Sequence, residues 1–241
     1  MSIFHTTQRI GEVVSILPQA SEILKEFRID FCCGGHRPLS EAIKEQNLDE
    51  KMLLSKLEKA YEEVKRLNDQ VDYREMTSSQ LIDYIVGKHH VFVKRVLPEI
   101  SELTATILRV HGPSHRDLFQ VHKLFHTLKT ELEQHLIKEE EILFPMIKRY
   151  EAEPSDDLYK NMKETTAETE EEHEAAGDIL KELREITAEY TVPQDGCGTY
   201  RRTFETLEEL EADLFQHIHL ENNILFHRLG IGLNESGSSI N

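Results

Sequence analysis

Residues 135–144 read HLIKEEEILF, and residues 217–226 read HIHLENNILF. Both stretches have the form H-x-x-x-E-x-x-I-L-F, and they begin 82 positions apart. A histidine and a glutamate four residues apart lie on one face of an α-helix, so each pair can reach a metal site from one side. One such motif would more often be a partly exposed His–Glu pair. Two copies on separate predicted helices favour metal ligands at His135, Glu139, His217 and Glu221.

The remaining ligands are expected on two more helices. His173 is the only histidine between Pro154 and Pro193. His89 precedes His173 by 84 positions, close to the 82 that separate the two longer motifs. The chain therefore repeats one order twice, a histidine and then H-x-x-x-E. A single core histidine is more often satisfied by a hydrogen bond than by a metal, so it is the joint pattern that favours both residues.

His90 competes with His89 for the ligand position, because adjacent residues of a helix point to different faces. We prefer His89 for its spacing and for the apolar residues that precede it. These lie seven, four and three positions earlier and place His89 on the apolar face of a regular helix: Ile82, Ile85 and Val86.

Two further glutamates are candidates for a supporting role around the metal. Glu131 lies four residues before His135, and Glu172 lies one residue before His173. Each can line a channel or hydrogen-bond a ligand, and a solvated surface glutamate is the alternative for both. Six other histidines are not expected to bind the metal directly: His111, His115, His122, His126, His219 and His227.

The composition limits the kinds of partner. The formal charge is −17, from 45 acidic and 28 basic residues, and such a surface repels the phosphates of nucleic acids. No apolar run is long enough to span a membrane, and the N-terminus lacks the layout of a signal peptide. We therefore expect a cytoplasmic protein that binds neither nucleic acid nor membrane.

Breaker residues divide the second part of the chain into four long helical stretches. They cover about 78–108, 115–150, 155–190 and 199–229, and strand-like alternation is missing. Four helices with short connections predict an all-α, up-down four-helix bundle. Pro98 is expected to kink or break the first of them.

The first part of the chain predicts a small helical domain. One helix is expected to open at Pro18 and end near Asp30, and a second to run from Pro38 through Ile43. Residues 48–70 predict a charged amphipathic helix. The predicted domains are an N-terminal domain at 1–46, a connecting helix at 47–76, the bundle at 77–230 and a flexible tail at 231–241.

The three cysteines do not suggest a disulfide framework. Cys32 and Cys33 are adjacent and precede two glycines, so the pair can bind a soft metal, pass iron on or exchange thiols. The alternative is a tight turn with one buried and one inert cysteine, and a disulfide between such neighbours would be strained. Cys197 lies in a loop between two glycines and is assigned no role.

Four imidazoles and two carboxylates suit a pair of iron ions, because imidazole binds iron and carboxylates can bridge two cations. Ligand type alone also allows zinc or manganese. The sequence shows no nucleotide-binding loop and no nucleophile triad, so any chemistry is expected to depend on the metal.

At these residues the chain resembles the Repair of Iron Centers family, also called ScdA or YtfE-type iron–sulfur cluster repair proteins. Residues 135–145, 172–177 and 217–223 are similar to the hemerythrin-like domain of that family, and residues 29–35, IDFCCGG, to its ScdA-type domain. The resemblance implies an oxo- and carboxylate-bridged di-iron centre. Its bridges would be Glu139 and Glu221, and its caps His89, His135, His173 and His217. Hemerythrins use five histidines, so a set of four leaves one metal position free.

The function implied by this resemblance is the repair of iron–sulfur clusters damaged by nitrosative and oxidative stress. We expect a protein that supplies or handles labile iron rather than an enzyme, with Cys32 and Cys33 as thiol or iron-transfer residues. The alternatives are a di-iron reductase of nitric oxide or peroxide, and a sensor of oxygen or nitric oxide. Expected partners are iron–sulfur client proteins or a scaffold, these small oxidants, and a second copy in a homodimer.

Overall fold

The computed structural model describes residues 3–67 and 72–232. The regular elements within these ranges are helices, and extended pairing among them is confined to one bridge between Arg9 and Pro38. The predicted all-α class is therefore confirmed. The α-helices in chain order are α1 (Ile10–Ile16), α2 (Ala20–Glu26), α3 (Leu39–Glu45), α4 (Glu50–Leu67), α5 (Ser78–Ile85), α6 (Val91–His111), α7 (Leu118–Lys138), α8 (Phe144–Ala152), α9 (Asp156–Ile186), α10 (Gly198–His219) and α11 (His227–Leu229).

Three π-helical segments join consecutive α-helices of the described chain. The first π segment is Val86–His90, the second is Glu139–Leu143, and the third is Leu220–Phe226. A π turn closes through i→i+5 hydrogen bonds, so it adds a residue to the turn and changes which residues share the following face. The sequence predicts regular α-helices at all three places, and the structure differs from the prediction there.

The chain divides into two compact units. One comprises the described residues up to Leu81 together with those from Gln216 onward, and the other is Ile82–Phe215. These two compact units do not have the bounds of the predicted domains, which stay predictions. No helix among the described residues has the length and apolar character needed to cross a membrane.

The Ile82–Phe215 unit is built on four helices around one apolar core. α6, α7, α9 and the residues of α10 up to Phe215 all contribute side chains that are buried almost completely, among them Ile100, Phe125, Leu180 and Leu210. Burying each of these side chains contributes about 1.5–3 kcal/mol. The predicted four-helix bundle is thus confirmed.

Two local features set the shape of this bundle. Pro98 lies within α6, which runs through it without the expected break. Pro98 is exposed, so water can replace the backbone hydrogen bond that proline removes. At the start of α9, the Ser155 side chain accepts a hydrogen bond from the Leu158 backbone N–H at 3.4 Å and caps the longest helix of the bundle.

The other unit contains the short helices of the N-terminal part. The helix predicted from Pro18 is found as α2 and the helix predicted from Pro38 as α3, while α1 is an addition to the prediction. α1 contacts both α2 and the third π segment, and α2 contacts α4. α4 covers most of the predicted 48–70 helix; residues 68–70, like 233–241 of the predicted tail, lie outside the described residues.

Candidate metal centre

The second π segment opens with Glu139, whose carboxylate is fully buried in the Ile82–Phe215 unit. Its Oε1 atom lies 3.3 Å from His135 Nε2 and 4.0 Å from His173 Nε2, whereas its Oε2 atom lies 3.3 Å from His90 Nε2. The two oxygens of one carboxylate therefore face different imidazoles. A carboxylate that bridges two cations, each with its own histidine ligands, requires this arrangement.

His135 and His173 reach one point from α7 and α9. Their Nε2 atoms are 3.1 Å apart, and their ring centroids are 4.8 Å apart in an edge-to-face contact. Together with Glu139 they offer ligand atoms that all lie within 4.8 Å of one another. Two imidazole nitrogens and a carboxylate oxygen are suitable ligands for iron, zinc or manganese, so these residues fit a bound metal of that class.

The structure brings His90, and not the predicted His89, to the carboxylate of Glu139. His90 ends the first π segment and lies five positions after the buried Ile85. In a regular helix His89 would continue the face of Ile85, but a π turn moves that face one residue further along the chain. His89 Nδ1 instead lies 2.9 Å from Asp213 Oδ1. This geometry favours His90 as the ligand candidate, and the choice between His89 and His90 stays a prediction.

His217 and Glu221 face one another in the unit that contains the N-terminal helices. His217 Nε2 lies 3.0 Å from Glu221 Oε1, and both side chains are almost completely buried. Glu221 belongs to the third π segment, just as Glu139 belongs to the second. The repeated motif thus gives two similar pairs, each with a buried imidazole nitrogen close to a glutamate oxygen.

Carboxylates also stand behind two of the imidazoles. His135 Nδ1 donates to Glu172 Oε2 at 2.7 Å, and His90 Nδ1 donates to Glu140 Oε1 at 2.7 Å. Burial raises the pKa of each glutamate, but hydrogen bonds from histidine and lysine outweigh it, and the pKa of both is lowered overall. Glu172 is a predicted supporting residue, whereas Glu140 is hidden from sequence reasoning in a run of three glutamates. Glu131 lies exposed on α7, and its role stays a prediction.

The Cys32–Cys33 pair lies in a loop pinned by Asp30. Asp30 Oδ1 accepts hydrogen bonds from the Cys32 thiol at 3.2 Å and from the backbone N–H groups of Cys32 and Gly34 at 3.1 Å. The hydrogen bond with Cys33, burial and the charge of Asp30 raise the pKa of Cys32 well above its usual value. Cys32 is therefore a buried, protonated thiol, and Cys33 is the accessible member of the pair.

Asn223 ties this loop to the third π segment. Its Nδ2 atom donates to the carbonyl oxygen of Cys32 at 2.9 Å. Asn223 lies two residues after Glu221, so one segment carries a candidate ligand and also holds the cysteine loop. A Cβ atom on Gly11 would lie 2.5 Å from Asn223 Oδ1, and a Cβ atom on Gly35 would clash with the same oxygen. Both glycines therefore leave room for the asparagine side chain.

Cys197, which the sequence assigns no role, is exposed just before α10. A backbone hydrogen bond from Tyr200 and the imidazole of His111, whose Nε2 lies 3.3 Å from the sulfur, lower the pKa of Cys197 to about 7. A thiol with that pKa is nucleophilic near neutral pH. The chemical character of Cys197 is thus opposite to that of Cys32.

The histidines that are not expected to bind the metal directly lie in other settings. His115 Nε2 is 2.9 Å from Asp195, and the rings of His122 and His126 meet with centroids 4.3 Å apart. His219 is fully buried, and burial lowers its pKa to about 4, so its imidazole is neutral.

Two protein families match the chain. Residues 80–229 match the hemerythrin HHE cation binding domain, and residues 6–61 match ScdA_N, which is described as a domain of unknown function. The first match covers every helix that carries a candidate histidine or glutamate ligand. Fold, site and match together define the class as a helical cation-binding protein of the hemerythrin type.

Curated relatives narrow this class. The chain is 34% identical to the iron–sulfur cluster repair protein YtfE of Pectobacterium carotovorum, over 92% of this chain and 96% of that protein. It is 33% identical to a probable iron–sulfur cluster repair protein of Haemophilus influenzae, over 92% and 96%, and 32% identical to YtfE of Yersinia pseudotuberculosis, over 93% and 97%. The chain belongs to the family of YtfE-type iron–sulfur cluster repair proteins, which confirms the resemblance found in its sequence.

Proposed function

We propose that this protein is a cytoplasmic di-iron protein that handles labile iron in the repair of iron–sulfur clusters damaged by oxidative and nitrosative stress. The observation that carries the proposal is the buried carboxylate of Glu139, whose two oxygens face His135 and His173 on one side and His90 on the other. The relatives are iron–sulfur cluster repair proteins by name, which supports cluster repair as the process in which this metal site works.

The proposed ligand set combines the geometry around Glu139 with the repeated sequence motif. His90, His135, Glu139 and His173 would hold iron in the Ile82–Phe215 unit. The repeated motif and the family resemblance add His217 and Glu221 to the proposed ligand set. When bound, iron would supply redox chemistry and an open position for a small oxidant such as nitric oxide or oxygen.

The protein's own residues would hold and shield this site. The ligand side chains are almost completely buried, which excludes bulk water and strengthens the electrostatic interactions around the site. Hydrogen bonds from His90 and His135 to carboxylates leave Nε2 of each ring as the atom directed at the metal position.

The cysteine loop would exchange iron with a partner. Cys33 is partly exposed and accepts a hydrogen bond from the buried Cys32 thiol at 3.9 Å, so Cys33 is the member of the pair that can bind a soft metal ion first. The proposed partners are iron–sulfur client proteins or a scaffold. Self-association through the charged helix α4 is a further expectation.

Metal content tests the site first. Wild-type protein loaded with ferrous iron is expected to retain about two irons per chain, and the Glu139→Ala, Glu221→Ala double variant is expected to retain none. Elemental analysis and the absorption of an oxo-bridged iron pair are the measurements. Zinc as the sole metal, or unchanged iron in the double variant, would contradict the proposal.

A second experiment separates repair from catalysis. Restoration of a client protein whose cluster has been damaged by nitric oxide is expected to fail with Cys32→Ser, Cys33→Ser protein that still binds iron. Reduction of nitric oxide or peroxide that survives in this variant, without restoration of the client by either protein, would favour the reductase alternative. Reversible spectral changes without turnover or iron release would favour a sensor.

A further inference from the structure

Each of two candidate ligands in the Ile82–Phe215 unit is backed by a glutamate that is itself held by a lysine. In the first chain of contacts, His90 Nδ1 donates to Glu140 Oε1 at 2.7 Å. The Lys94 ammonium lies 2.7 Å from both oxygens of the same glutamate. The order is therefore imidazole, carboxylate and ammonium.

The second chain of contacts repeats this order with residues from different elements. His135 Nδ1 donates to Glu172 Oε2 at 2.7 Å, and Lys138 Nζ donates to Glu172 Oε1 at 2.7 Å. Glu140 lies in the second π segment, whereas Glu172 lies on α9. Lysine follows histidine by four positions in one chain and by three in the other. A repeated sequence motif would keep the same distance between histidine and lysine. The two distances differ, so the same arrangement of side chains is formed by two different sequence patterns.

This arrangement decides which imidazole nitrogen faces the metal position. A carboxylate accepts the Nδ1 proton, so Nε2 carries the lone pair that can bind a metal. In both series of contacts, the Nε2 atom of the histidine (His90 or His135) lies 3.3 Å from Glu139, the candidate bridge. The ion pair with the lysine holds the glutamate side chain in one orientation, so the carboxylate stays directed at the ring.

Both chains lead from the buried site to solvent. The side chains of His90 and His135 are 0% and 5% exposed, whereas those of Glu140 and Glu172 are 25% and 45% exposed. Lys94 is 53% exposed and Lys138 is 18% exposed. The two glutamates and Lys94 can therefore be altered without cutting into the core, and Lys138 is the more covered of the two lysines.

We propose that Glu140 and Glu172, each held by its own lysine, are positioning residues that set how fast the metal pair releases iron. This rests on the proposed function and adds the control of release to it. An iron-handling protein must hold iron and also give it up, and these four residues adjust that balance without contacting the metal.

The test compares iron release from four variants with release from the wild type. Glu140→Gln, Glu172→Gln, Lys94→Met and Lys138→Met are loaded with ferrous iron, and transfer to an excess of a chromogenic chelator is followed by absorbance. We expect about tenfold faster release for each glutamine variant and a smaller increase for each methionine variant. Lys94→Arg and Lys138→Arg are expected to restore the slow rate.

The matched control is Lys129→Met on α7. Lys129 Nζ lies 2.7 Å from Glu133 Oε1, which is the separation found in the two lysine–glutamate pairs above, and this ion pair lies within the helix that carries His135. Release from the control is expected to equal that of the wild type. Equal acceleration in the control and in the four variants would overturn the proposal, because loss of any surface ion pair would then suffice.

A measurement on the metal-free protein separates this proposal from the proposed function. Nitrogen NMR of ring-labelled histidine reports which nitrogen of His90 and His135 carries the proton. We expect Nδ1 to be protonated in the wild type and a mixture of tautomers in Glu140→Gln and Glu172→Gln. Unchanged tautomers together with unchanged release would overturn the positioning role. Altered tautomers in a protein that retains no iron would contradict the proposed function. In that case these glutamates would orient the histidines without any role in iron release.

Discussion

Two buried glutamates of the same helical unit have opposite surroundings. Glu211 is fully buried and forms a two-pronged ion pair with Arg184, whose Nε lies 2.8 Å from Glu211 Oε1. Glu139 is equally buried but faces imidazoles. A guanidinium has no lone pair to offer, whereas an imidazole can contact a carboxylate and bind a metal beside it. The comparison separates a buried charge that stabilises the fold from one that is placed for a cation.

The largest expected effect is on the glutamate that faces imidazoles. Glu139→Gln preserves volume but removes the charge that would offset two cations, and we expect more than about hundredfold weaker iron binding. The metal-free variant should unfold at a temperature equal to or above that of the wild type, because a buried charge is gone. Elemental analysis and thermal unfolding check this. Retained iron, or a large loss of stability without metal, would show that Glu139 is a structural residue like Glu211.

Arg184→Met applies the same comparison to the other glutamate. It leaves the Glu211 carboxylate buried without its guanidinium, so the free energy of unfolding should fall by about 3 kcal/mol. Denaturant titration measures the loss, and iron content per folded chain should not change. Arg184→Met with Glu211→Met is the control and should recover most of the stability. Iron loss in the folded single variant would link this ion pair to the metal site.

A pair of adjacent histidines sharpens the distinction further. His90→Ala should weaken iron binding at least about tenfold, because His90 Nε2 is the atom near Glu139. His89→Ala should leave iron content close to that of the wild type, since its Nδ1 contacts Asp213. Chelator competition on both proteins is the measurement. The reverse order would restore the sequence-based choice of His89.

The smallest expected effect concerns two cysteines that differ in the same way. Cys197 has a pKa of about 7, set by a backbone hydrogen bond and by His111. Its thiolate fraction therefore rises between about pH 6 and 8, and alkylation at pH 7 should be about sixfold faster than for an ordinary thiol, after allowing for the lower nucleophilicity of a more acidic thiol. Cys32 should be the slowest of the three, because it is buried and its pKa is raised. Mass spectrometry after timed alkylation across this pH range resolves them, and His111→Ala should move the Cys197 profile to higher pH. Equal rates would refute the assignment.

The class of fold and most of the candidate site could be predicted from periodicity. Apolar residues at helical spacing give the four long helices. The repeated H-x-x-x-E motif gives two pairs, and within each pair the histidine lies close to its own glutamate. Both features depend only on residues close together in sequence. His90 could not be chosen, because a π turn changes the helical period without a local signal in the apolar pattern.

Residues that act through tertiary contacts could not be identified from the sequence, for a different reason. Glu140 and Lys94 come together only when two helices pack, and each looks like an ordinary surface charge in the chain. Asn223 resembles any polar residue of a helix until the cysteine loop is placed against it. Pro98 shows the converse, since a residue that usually ends a helix is tolerated where water can reach the backbone.

The contact of Asn223 with two glycines has an evolutionary consequence. Any side chain at Gly11 or Gly35 would clash with the amide of Asn223, so a substitution at either glycine requires a change at Asn223 as well. A smaller residue in place of the asparagine would leave room for side chains at both glycines and would remove a hydrogen bond to the cysteine loop. Covariation among positions far apart in sequence would thus mark lineages in which the cysteine loop and the ligand-bearing helix evolve as one part.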